Sequence, residues 1–147
     1  MASRRIRLVL RWAGLAIVVL LLAMQLFPVE RTNPPVGLEV EAPTEIRSIL
    51  RKACYDCHSH ETHWPWYSYV APVSWWIVDH VDDGRGDLNF SDWPAFDFEA
   101  QKLSFHDIEE QITTGEMPLT SYKLLHPPAR LDASERRLLV DWARSNR

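Results

Sequence analysis

The chain opens on a change of polarity that nothing later repeats. Arg4, Arg5, Arg7 and Arg11 precede an apolar run from Trp12 to Phe27, extended by Pro28 and Val29. Counted from Leu8, with Arg11 able to snorkel its charge to the surface, this run supplies about the 20 residues a helix needs to cross hydrocarbon. A cleaved signal peptide starts in the same way. Cleavage favours small residues in an A-x-A pattern, and the run ends in Ala23, Met24, Gln25, Leu26 and Phe27 without one. Residues 1–29 are therefore read as a retained transmembrane anchor, with secretion after cleavage as the alternative. The positive-inside tendency keeps the arginines cytoplasmic and places everything after Val29 on the periplasmic or extracytoplasmic side.

Residues 30–43, ERTNPPVGLEVEAP, show neither helical nor strand period and contain three prolines. They read as a linker, held extended by those prolines. Helical period returns in residues 44–147. Thr44 can cap a short helix whose apolar positions Ile46, Ile49, Leu50 and Ala53 follow the i, i+3, i+4, i+7 rule and lead into Cys54. Pro72 suits a first turn, and the segment after it reads as a helix with a stripe of Val73, Trp76, Ile77, His80 and Val81 that stops at Gly84. A third helical region spans about 96–114, with a break expected near Ser104, an inward face of Ile108 and Ile112, and Gly115 as its end. The last helix is the clearest. Asp132 and Glu135 form a capping-box start, Leu138, Leu139 and Trp142 form the stripe, and Arg144 and Arg147 complement the negative end of the dipole. No strand pattern pairs with any of this. The fold class expected is all-α: a transmembrane helix followed by a small, loop-rich helical domain.

Charge and composition narrow the function. The first 29 positions hold four of the 16 basic residues and none of the 20 acids, so the rest of the chain carries 12 bases and 20 acids. Such a surface disfavours nucleic acid. A domain this small, with long connections, has little apolar surface to bury and commonly recruits a metal, a disulfide or a cofactor.

The candidate chemistry lies in CYDCHSHETHWPWYSY, residues 54–69. Cys54, Cys57 and His58 have the spacing of a covalent haem attachment site. If helix continues through the motif, positions i, i+3 and i+4 share a face, so two thiols can reach two porphyrin vinyl groups while the imidazole points at the iron. Two other readings use the same residues. Zinc could take both cysteines with two of His58, His60 and His63, although structural zinc sites draw their second pair from farther along the chain. A cycling dithiol is the third, but it belongs in a βαβ context that is missing here. The aromatics Trp64, Trp66, Tyr67 and Tyr69 read as walls that keep water from the porphyrin.

A six-coordinate haem needs a second axial ligand. Met117 is the one methionine after the anchor. It lies between Gly115, which ends a helix, and Pro118, which stiffens the chain. His80 competes because it sits on the apolar stripe of its helix, and His126 and His106 are further alternatives. Methionine with histidine favours a higher reduction potential, whereas an empty sixth position permits ligand binding.

Taken together, CYDCHSHETHWPWYSYVAPVSWWIVDHV, GRGDLNFSDW and GEMPLTSYKLLHP, followed by a closing helix ending in LVDWA, resemble the small bacterial family of haem-binding domains, related in its attachment motif to cytochrome c. The resemblance covers residues 44–145. It implies haem c on Cys54 and Cys57 with His58 and Met117 as axial ligands. The function expected is a membrane-anchored, one-electron carrier, not an enzyme, that serves redox partner proteins. A haem enzyme or a redox or gas sensor with a displaceable sixth ligand is the alternative, followed by a zinc or dithiol module.

Overall fold

The computed structural model of the protein describes residues 2–94 and 97–147, with side chains from Arg4 onward. Among the described residues every regular element is helical and no strand forms, as the periodicity predicts. The chain divides into two compact units, one of residues 1–31 and 64–80, the other of residues 32–63 and 81–147.

The first unit is built on α1, Ala2–Met24. From Arg4 to Met24 this helix is long and apolar enough to cross a membrane, with a mean hydropathy of 2.2 over its most apolar stretch. Its side chains are exposed almost throughout. Past its end, the Gln25 amide donates to Leu21 O and Ala71 O (2.8 and 2.9 Å) and accepts from the Ala71 N–H (3.0 Å). The Trp75 indole N–H donates to Phe27 O at 2.9 Å, so the chain leaving α1 is tied to residues 71–75. Between them, Trp66–Tyr69 forms a single 3-10 turn.

The second unit holds the core. α2, Thr44–Ala53, buries Ile46, Ile49, Leu50 and Ala53, the four positions its period selects. α3, Tyr55–His58, is a single turn. α4, Val73–Asp87, is continuous from the first unit into the second and runs through Gly84 instead of stopping there. Its buried positions include Ser74, Val78 and Val81, while Val73 and Trp76 are exposed, so the expected stripe is rotated. α5, Phe98–Thr114, is unbroken at Ser104. Asp97 caps it by accepting from the Ala100 N–H, so Ser104 is left as an ordinary helical residue. The expected start at Phe96 lies outside the described residues. α6, Thr120–Leu125, has no counterpart among the expected elements. α7, Ala133–Ser145, begins with the complete capping box of Asp132 and Glu135.

α5 packs chiefly on α7, and an aromatic series runs through the core between these helices and Tyr55 of α3. Tyr55 stacks on Phe90 (5.4 Å between ring centres), Phe90 on Trp93 (6.2 Å), Trp93 meets Phe105 (5.1 Å), and Phe105 meets Trp142 edge-on (5.2 Å). Phe90 and Trp93 belong to a loop, and backbone pairing explains their burial. Val40 N–H donates to Phe90 O (3.0 Å) and Trp93 N–H to Leu38 O (2.7 Å). The Pro-rich segment is thus extended and, from Thr32 on, hydrogen-bonded into this unit.

Leu139 on α7 is wholly buried in this core. Leu139→Ala is expected to lower the free energy of unfolding by about 2–5 kcal/mol through lost burial and the cavity left behind. Urea denaturation followed by circular dichroism measures it, with the midpoint falling and the slope unchanged.

Candidate functional site

The Cys54–His58 motif begins where α2 ends. The Cys54 N–H still donates to Leu50 O (2.8 Å), but the backbone leaves the helix at Cys54 (φ −127°). α2 therefore does not continue through the motif. One new turn closes there, because the N–H groups of Cys57 and His58 both return to Cys54 O (3.1 and 2.9 Å).

α4 orients the imidazole. His58 Nδ1 lies 2.8 Å from Gly84 O and 3.0 Å from Leu88 O. Carbonyl oxygens only accept, so Nδ1 carries the proton and Nε2 of the neutral ring keeps its lone pair for a metal. Gly84 makes this approach possible. A Cβ there would stand 2.8 Å from Cys57 O and 3.3 Å from Cys57 Cβ, closer than backbone atoms tolerate. The glycine read as a helix stop is in fact the place where α4 touches the motif.

Met117 is held by the end of α5. Gly115 takes the left-handed conformation (φ +78°), and the N–H groups of Gly115 and Met117 both donate to Gln111 O (3.1 and 3.2 Å). The result is an ordered turn, and Pro118 after it is buried.

Cys54, His58 and Met117 line one cavity of about 410 Å³, with Leu50, Leu88, Phe90, Ile108 and Ile112 among its apolar walls. That volume falls in the range of cofactor sites. All of its lining belongs to the second unit. Cys57 is not part of the lining and packs instead on Gly84. Trp64, Trp66, Tyr67 and Tyr69 are not part of it either, so the walls expected next to the motif come from Phe90 and aliphatic side chains of α2 and α5. Asp87 and Asp107 are the carboxylates in the lining.

The two thiols are kept protonated. Burial, with some repulsion from Cys57, pushes Cys54 up to about 12, and burial with the Asp56 charge pushes Cys57 up to about 11. Zinc ligation and dithiol exchange both need the thiolate, which cationic surroundings would favour. Among the described residues no group of three or more His, Cys, Asp or Glu is arranged around a metal position. His60 is tied through Nδ1 to Pro35 O (2.8 Å) and through Nε2 to Asn89 (2.9 Å), while His63 is exposed.

The alternative axial histidines lie elsewhere. His80 stacks on Trp76 (4.3 Å) with its Nδ1 on Trp76 O (2.9 Å), and His126 stacks on Tyr122 (4.0 Å). His106 is on the surface beside Arg147. None of the three lines the cavity.

The family model of the haem-binding domain matches residues 19–145, most of the chain. The chain belongs to this family. Membership makes it a haem-binding protein, and the cavity's chemistry suits that ligand: an imidazole whose Nε2 keeps its lone pair, a thioether, the thiol of Cys54 and apolar walls. No curated protein and no solved structure matches the sequence.

Several residues that shape this haem-binding domain carry no signal in the one-dimensional pattern. Asp56, between the cysteines, accepts from the His63 N–H (2.9 Å) and from the Tyr122 hydroxyl (2.6 Å), which clamps the motif to α6. Burial, and then this carboxylate, hold the Tyr122 hydroxyl firmly protonated. Arg85 donates from Nε to Ser59 O (2.8 Å) and from Nη2 to Thr32 O, Asn33 Oδ1 and Thr62 Oγ1 (3.0, 3.1 and 2.9 Å). The loop after the motif is therefore held by one guanidinium, with Ser59 and Thr62 buried beneath it. Phe90 places its ring edge-on to His58 at 6.4 Å and donates its N–H to His58 O (2.8 Å).

Proposed function

We propose that the haem is haem c, joined to Cys54 and Cys57 and ligated axially by His58 and Met117, in a one-electron carrier that α1 anchors in the membrane. The domain faces the periplasmic side and exchanges electrons with redox partner proteins. The observation that carries this reading is that Cys54, His58 and Met117 line the same apolar cavity while His58 Nδ1 is engaged by two carbonyls.

Haem supplies the one-electron iron couple and two vinyl groups, each able to add a thiol across its double bond. The protein does the rest. Cys54 and Cys57 would supply the two thiols, each S–H adding across one vinyl group so that sulfur and hydrogen both end on its carbons. Gly84 O and Leu88 O hold the imidazole at one angle, so Nε2 keeps its aim during electron transfer and little reorganisation is needed. The Gly115 turn presents the Met117 sulfur from a chain segment that is already ordered. The apolar walls keep water out, which together with a thioether ligand favours the reduced iron.

Expression of the full chain with c-type maturation machinery tests the attachment. The haem should survive acid-acetone extraction and give a c-type pyridine haemochrome; extractable haem would refute thioether bonding. Met117→Ala should abolish the near-infrared sulfur-to-iron band and lower the reduction potential, as read by absorption and potentiometry. A band that persists without Met117 would remove it from the iron. Rapid binding of carbon monoxide to the untreated reduced protein would mark the sixth position as displaceable and favour a sensor or enzyme.

A further inference from the structure

The first unit carries an apolar surface that the haem cavity does not use. Residues 64–78 contain no Asp, Glu, Lys or Arg. Trp66 is 77% exposed, Tyr69 57% and Trp76 50%, with Val70 and Val73 exposed beside them in sequence. Grouped exposed aromatics on a domain generally mark an interaction surface.

The position of this surface within its unit says what it meets. Gln25 pairs with both backbone groups of Ala71, and Trp75 donates to Phe27 O. Arg31 adds a bond to Ser68 O (3.2 Å) and lies over the Tyr69 ring at 4.1 Å. Residues 68–75 are thus fixed to the chain just past the end of α1. The 21 residues from Arg4 to Met24 rise about 30 Å at 1.5 Å each, the thickness of the hydrocarbon layer. With Arg4, Arg5 and Arg7 at the cytoplasmic surface, a span counted from Leu8 leaves the hydrocarbon near Phe27, and whatever is bonded to residues 25–31 lies at headgroup depth. Trp and Tyr are the side chains that favour this depth, with an apolar ring body and a polar N–H or O–H.

We propose that residues 64–76 form an aromatic collar in the lipid interface at the exit of α1, with Trp66, Tyr69 and Trp76 against lipid. This rests on the reading of α1 as a retained anchor and deepens it. Only cleavage after Phe27 would remove both Gln25 and Phe27, the residues to which the collar is bonded. The collar gives the chain a second attachment to the bilayer surface and assigns to the aromatics after the motif a lipid-facing role instead of a haem-facing one.

The full, haem-loaded chain in phosphatidylcholine vesicles doped with a phosphatidylcholine that carries a diazirine near its headgroup provides the test. After illumination and digestion, mass spectrometry should find lipid adducts in residues 64–76 as well as at the end of α1. Adducts confined to α1 would overturn the collar while leaving the anchor standing, and a protein partner on this surface would give that result. No adducts on α1, or a mature chain that begins beyond Phe27, would refute the anchor and the collar with it. The triple variant Trp66→Ser, Tyr69→Ser, Trp76→Ser should lose the adducts at 64–76 and keep both the α1 adducts and the haem spectrum. Unchanged labelling of 64–76 in that variant would also overturn the collar.

Discussion

His58→Ala is expected to leave a folded chain that no longer holds low-spin haem. Outside the cavity the ring contributes two bonds from a single nitrogen, to Gly84 O and Leu88 O, and Gly84 O retains the Leu88 N–H as a second donor (3.0 Å). Hydrogen bonds of this kind each contribute about 1 kcal/mol, so the loss to the fold is modest. The loss to the iron site is not. Among the residues lining the cavity His58 is the one imidazole, and a thioether alone is a weak ligand. Absorption of the matured variant should show high-spin haem or none, and added imidazole should restore the low-spin spectrum in a chain that still carries haem on its cysteines. A variant that keeps an unaltered low-spin spectrum without imidazole would show that another residue supplies the ligand.

Gly84→Ala is expected to harm the protein at a position where a helix would ordinarily welcome the change. In α4 alanine replaces glycine with a gain of about 0.5–1 kcal/mol if nothing else intervenes. At Gly84 the new methyl would stand 2.8 Å from Cys57 O and 3.3 Å from both Cys57 C and Cys57 Cβ. These are backbone atoms and the root of a side chain, with no flexible end to swing aside. Overpacking of this kind costs about 1–3 kcal/mol, and relief requires α4 to move away from the motif. That movement withdraws the carbonyl that orients His58. Lower stability and a smaller fraction of bound haem should therefore appear together, measured by urea denaturation and by the ratio of Soret to protein absorbance. Gly86 is the internal control. It lies on the same helix with nothing within 4 Å of its would-be Cβ, so Gly86→Ala should be neutral or stabilising. Equal effects at the two positions would remove the close approach as the cause.

The sequence pattern located the helices best where one face was plainly apolar. α2 buries the four residues its period selects, α7 buries Leu139 and Trp142 of its stripe with Leu138 half-buried and Ala143 added, and the capping box at Asp132 is complete. α4 was misread in phase because apolar residues surround it: Val73, Trp75, Trp76, Ile77 and Val78 leave only Ser74 as contrast. A period cannot choose a face when every face is apolar, and the buried set that results includes a serine. Gly84 was misread for a different reason. Glycine ends helices and also permits close contacts, and the partner that distinguishes the two uses, Cys57, lies 27 positions away in the chain. α6 is short and buries no residue, so it offers no stripe to detect.

The local chain encodes the Cys-x-x-Cys-His spacing, the length of the apolar helix α1 and the order of the helices, since each is a matter of neighbours within a few residues. Cys57 and His58 close a turn on Cys54 O within four residues. Which residues complete the site is a long-range matter. Met117 reaches the cavity through the left-handed turn at Gly115, Phe90 becomes its aromatic wall because a loop pairs with residues 40 and 58, and His80 and His126 are drawn off to stack on Trp76 and Tyr122. Loop backbone that must find hydrogen-bond partners settles those positions, and the identity of the partners is written nowhere near them in the chain.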